Sequence, residues 1–208
     1  MLGRLVALGI SGWVTSAFAT DDTWLDAEQQ EQADLERLRE VNTGELNFLT
    51  EPAATDELHT RMTLTLSAQS LADGWVDMRQ CQSGLDAMAM SEIVYRYSAL
   101  RDLRVTRAHR IESAWVEDQS IQLRGVQADA EICVAAQVKI LRQLERGRYR
   151  LGSGPYHRRF FDGYFPLRLS LDVRYPVDLL DWRQATPAVQ PGFAVQASPG
   201  QIMIETRF

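Results

Sequence analysis

The chain has 208 residues, of which 45% are apolar, with a formal net charge of −6 and two cysteines. That apolar content excludes wholesale disorder, and the length suffices for one domain with a proper core. The acidic balance, without a basic stripe interleaved with exposed aromatics, argues against a nucleic-acid partner.

Met1 to Ala19 carries Arg4, then an apolar run through Leu5, Val6, Leu8, Ile10, Trp13 and Val14, then Ala17-Phe18-Ala19. The order charged, apolar, small-x-small predicts a secretory signal peptide cleaved before Thr20, because the apolar core is shorter than the ~20 residues of a membrane span. No later run is long enough to cross a bilayer as a helix. The expectation is therefore an exported, periplasmic protein with no transmembrane segment after cleavage. An oxidising compartment makes a Cys81–Cys133 disulfide the expected state of the two cysteines, with two buried free thiols as the alternative.

Charge is unevenly distributed. From Asp21 to Leu58 there are twelve acidic residues against Arg37 and Arg39, whereas from His59 to Phe208 there are sixteen acidic against nineteen basic. Asp21 to Val41 is rich in helix formers and can be capped by Asp22 or Thr23, so residues 20–57 read as an acidic helical segment ending in a Pro52-Ala53-Ala54 linker.

From Leu58 the period changes to two. Leu58, Met62, Leu64 and Leu66 alternate with His59, Arg61, Thr63 and Thr65, which predicts a half-buried strand. Asp73-Gly74 marks a turn before a short element, Trp75 to Cys81. Short strands follow at Ile93 to Tyr97, Leu103 to Thr106, Ile111 to Val116, Ile121 to Val126 and Ile132 to Ile140, separated by polar turns that include Ala108-His109. Glu145-Arg146-Gly147 suits a hairpin into Tyr149 to Leu151, and Asp162-Gly163 a tight turn.

The longest alternation is Phe165, Leu167, Leu169, Leu171, Val173 and Tyr175 against Arg168, Ser170, Asp172 and Arg174. It predicts one strand of roughly 30 Å with an oily and a charged side, opened by Pro166 and stopped by Pro176. Two last strands are expected at Phe193 to Gln196 and Ile202 to Phe208. Nine or ten strands without βαβ alternation give an all-β body over 58–208. The expected form is a two-layer antiparallel β-sandwich, with a curved or partly closed barrel as the alternative. The terminal QIMIETRF loosely fits the last strand of an outer-membrane barrel, but short, charge-interrupted strands argue against that.

His59, His109 and His157 form no short-spaced ligand pair, so no metal site is expected, and no cofactor fingerprint is present. The densest polar cluster is Tyr156-His157-Arg158-Arg159, followed by Asp162, Tyr164 and Arg168. Guanidinium forks beside tyrosines suit an anionic ligand or an envelope protein as partner. The competing reading has Arg158 and Arg159 paired with nearby carboxylates while Phe160 and Phe161 plug the core.

The exported leader, the Gly74 to Cys81 segment, the second cysteine and the run from Gly154 through FFDGYFPLRLSLDVRYP together resemble a family of uncharacterised exported proteins of proteobacteria. The resemblance spans most of the chain from about Leu64 onward and implies an envelope location and a single domain. It carries no activity over. The functional expectation is a non-catalytic periplasmic protein that binds a protein or envelope component. The alternative is an envelope-polymer hydrolase whose catalytic carboxylates the sequence does not single out.

Overall fold

A computed structural model describes residues 47–51, 57–154, 156–160 and 163–208. The leader, most of the acidic segment, Phe161 and Asp162 lie outside the described residues. The described chain is all-β, built around a mixed eight-stranded sheet that does not close into a barrel. No helix among the described residues is long and apolar enough to cross a membrane.

Strand β1 (Leu58–Thr65) leads through a six-residue helix, α1 (Ala68–Asp73), into β2 (Trp75–Leu85). Where the sequence suggested only a turn, Ser67 caps the helix. Its backbone N–H donates to Ser70 Oγ at 3.0 Å, while the Ser70 N–H donates to Ser67 Oγ at 3.3 Å. Gly74 ends the helix at φ +80, and a Cβ there would stand 2.6 Å from the carbonyl oxygen of Leu141. Both the left-handed conformation and the close approach therefore require glycine.

β3 (Met88–Val94), β4 (Leu100–Glu117) and β5 (Ser120–Lys139) follow. The four short strands expected between Leu103 and Ile140 are in fact two long ones, joined by a tight hairpin at Asp118. The polar breaks proved to be bulges: the β4–β5 register shifts three times, and Asp102, Arg110 and Asp129 have positive φ. The first two shifts each absorb one β4 residue, and at the third four β5 residues, 127 to 130, stand against Arg110 alone, so polar residues that look like a turn leave the strand unbroken.

Two small hairpins come next, β6 (Leu141–Gln143) with β7 (Tyr149–Leu151) and β8 (Arg158–Phe160) with β9 (Gly163–Phe165). The expected long strand is thus divided at Pro166, and β10 (Leu167–Arg174) is its second part. β11 (Phe193–Ser198) and β12 (Gln201–Arg207) close the chain.

In the large sheet β5 is paired on both edges. β4 lines one edge along nearly its whole length, while β2 and β3 share the other end to end. The sheet continues from β2 through β1, β10 and β12 to β11. β1 and β10 run parallel, a departure from the all-antiparallel pairing expected. Alternation sends Met62, Leu64, Val76, Met78, Ile132 and Val138 to one face, where each is essentially inaccessible. A second layer of α1, the β6–β7 hairpin, Leu180 and Trp182 packs over that face. Full burial of each such side chain contributes about 1.5–3 kcal/mol.

Cys81 and Cys133, directly opposite each other on β2 and β5, form the disulfide. It joins residues 52 apart and ties the centre of the sheet together. Replacing both cysteines by serine is expected to cost about 2–4 kcal/mol, read as a fall in melting temperature of at least about 5 °C by calorimetry.

Candidate functional site

Of the loop residues that the sequence singled out, the structure turns two inward. Tyr156 packs against the core, its hydroxyl bonded to Ser153 and donating to Met62 Sδ at 3.3 Å. Burial pushes that hydroxyl's pKa up, so it stays protonated. Arg158 has a side chain only 10% exposed, ion-paired to Asp86. It donates to the Pro166 carbonyl at 3.3 Å and lies over the rings of Phe160 and Phe165. Arg158 therefore pins the β8–β9 hairpin to the body. His157 and Arg159 lie on the same segment and both have interaction partners. Tyr164 sits on β9 opposite Arg159.

Arg168 is separated from that group. It lies on β10 with its side chain on the outer, polar face of the large sheet, 3.4 Å from Glu205 on β12. Across the sheet it stands beside His59, whose Nε2 shares a 2.7 Å hydrogen bond with Ser170 Oγ. Arg207 binds Glu57 at 3.0 Å. Partial burial, with Arg168 and Arg61 nearby, holds the His59 pKa below its ordinary 6.5; Glu205 and Glu57 oppose the shift. The imidazole is therefore neutral at pH 7. Glu57 pairs with Arg207 and Glu205 with Arg168.

The outer face becomes more cationic towards β4. Arg101, Arg104 and Arg107 stand opposite Gln137, Ala135 and Cys133, which are alternate residues on one side of β5. Spaced by three, they would fall on alternating faces of a regular strand. The bulges at 101/104 and 105/107 turn all three to the same side. Arg79 lies opposite Ala135 on β2, and Arg61 opposite Cys81 on β1. Arg61 and Arg107 converge on one carboxylate, Glu131, at 3.8 and 3.5 Å. Their side chains are 50% and 61% exposed. Asp77 accepts from Gln137 at 2.7 Å. Asp73 accepts from the Trp75 N–H and lies near Arg101, and both the hydrogen bond and the guanidinium hold its carboxyl below the usual value.

The arginine stems also cover the floor between them. Ala135 and Cys133 face outward yet are only 7% and 8% exposed. Arg101 lies 4.1 Å above the Trp75 ring and donates through Nε to Gln137 Oε1 at 2.8 Å. Arg104 donates to the Asp102 carbonyl at 3.1 Å. Among the described residues Arg101 and Arg104 are thus each held by one hydrogen bond of the five N–H donors a guanidinium offers. Cys81, Glu131 and Cys133 bring donor atoms within 4.8 Å of one another, but the disulfide leaves no thiolate there to bind a metal.

No protein-family model and no curated protein matches the chain. Among solved structures, an M1 zinc metallopeptidase from Deinococcus radiodurans is similar to it. A mutant form bound to a Tyr-Ser-Ala substrate aligns over 73% of this chain and 38% of that one, at 12% identity and a TM-score of 0.38. The unmutated enzyme gives 13% identity and a TM-score of 0.36 over the same shares. The chain spans well under half the length of those structures, and likeness at this level carries no inference about activity.

Two outcomes follow. Arg158→Ala should destabilise the fold by about 1–3 kcal/mol in urea titration, by stranding Asp86 and the Pro166 carbonyl. For His59, the unfolded chain takes up the proton before the folded one as pH falls. The stability contributed by its neutral form is therefore intact above about pH 6.5 and declines below it. Proton NMR should place the His59 midpoint below 6.5, and Arg168→Gln should move it upward.

Proposed function

We propose that this is an exported, periplasmic, non-catalytic binding protein that takes an anionic envelope partner on the outer face of its sheet. The observation that carries this reading is the arginine cluster, in which Arg61, Arg79, Arg101, Arg104 and Arg107 outnumber the neighbouring carboxylates Asp73, Asp77 and Glu131. A field of one sign over a broad surface attracts an oppositely charged partner, and exposed guanidinium forks suit its carboxylates or phosphates. The charge-distributing bulges support the same reading, since they gather arginines that a regular strand would separate. The disulfide and the leader-like first nineteen residues support the exported location. The partner-binding surface is accordingly the face around β4 and β5, with Arg168 at its far side, rather than the Tyr156 to Tyr164 loop.

The test is retention of the mature protein on an immobilised sulfated polysaccharide. The wild type should bind at about 0.1 M salt, where the Debye length is ~10 Å, and elute as salt rises. Arg101→Ala/Arg104→Ala/Arg107→Ala should pass through the column, whereas Arg158→Asn, altered away from this face, should elute with the wild type. Equal elution of the triple variant and the wild type would refute the assignment of the face.

A further inference from the structure

We infer that the anionic partner is an extended acidic peptide segment with Asp or Glu at every second residue, laid along β4 on the outer face. The inference rests on the anion-binding reading above and adds the chemical class of the partner. Because Arg101, Arg104 and Arg107 stand opposite every second residue of β5, they repeat at about two strand steps, roughly 6.7 Å. An extended peptide presents alternate side chains at that same repeat, so three successive carboxylates meet three successive guanidiniums without strain in either chain.

The ladder is also held in place before any ligand arrives. Arg101 is fixed by Gln137 and the Trp75 ring, Arg104 by the Asp102 carbonyl, and Arg107 by Glu131. Arginines restrained in this way lose less freedom on binding than free surface chains do. Carboxylates stand at both ends of the row, Glu131 beside Arg107 and Asp73 near Arg101 and the Trp75 ring, so a further carboxylate beyond either end is repelled. Among the described residues β4 pairs only with β5, but its three register shifts interrupt the ladder that a new strand would need. Recognition is therefore through side chains on the face rather than by strand addition at the edge.

The test uses fluorescence anisotropy with three labelled probes on the intact mature protein. These are a decapeptide alternating Glu and Thr, an isomer with the five Glu in one block, and inorganic polyphosphate of equal charge. The alternating peptide should bind at least about fivefold more tightly than its block isomer. The preference should vanish in Arg101→Ala/Arg104→Ala/Arg107→Ala and persist in Arg174→Ala, which removes an arginine of the same face outside the ladder. Equal affinity for the two peptides, or tighter binding of polyphosphate, would overturn the peptide inference while leaving an anion-binding face in place. Failure of all three probes to bind would overturn both. Circular dichroism of each variant separates loss of binding from loss of fold.

Discussion

β5 is the constraint on which the rest depends. A strand with both edges paired and one face buried in the core can tolerate little freedom in its side-chain alternation. Ile132, Val134, Ala136 and Val138 must enter the core, which forces Glu131, Cys133, Ala135 and Gln137 to the opposite side. Every neighbouring strand inherits this division through its register. Slipping β1, β2 or β4 by one residue would bring arginines into the apolar layer, at a cost of several kcal/mol per desolvated charge. The polar outer face is thus the geometric complement of the core.

The disulfide reinforces that division at its centre. It lies where β2 and β5 are opposed, in a row that continues to Arg61 on one side and Arg107 on the other. The bond fixes the spacing of the two central strands, and the arginine stems close over it. Long β4 would otherwise present an unpaired ladder to other chains. Bulges and repeated arginines both discourage edge pairing, and the same devices assemble the cationic face. Protection of the edge and assembly of the cationic face are here one structural solution.

Much of the fold was legible in the residues. The alternation in Leu58–Thr65 and Leu167–Arg174, the glycine after Asp73, the terminal strands and the cysteine pair all appear where the pattern places them, because each depends on local periodicity or turn chemistry. The long strands were not legible. Arg110 and Asp129 adopt left-handed conformations at a register shift inside unbroken strands, whereas in sequence their polar surroundings look like ordinary turns. The same limitation hid where the residues of the polar loop point. The Tyr156 to Tyr164 run is dense in polar residues, yet Tyr156 reaches the core beside Met62 and Arg158 folds onto Asp86 and two phenylalanines.

By itself the sequence determined the all-β class, the opposed apolar and polar sides of its regular strands and the residues able to form a covalent tie. Those properties follow from side-chain chemistry repeated at a fixed period, which needs no knowledge of distant partners. Only the tertiary structure decided that β1 and β10 run parallel, that four apparent strands are two, and that Arg101, Arg104 and Arg107 share one face. Strand neighbours and bulge positions are settled by which long-range pairings bury the apolar side most completely, and no local window of sequence contains that competition.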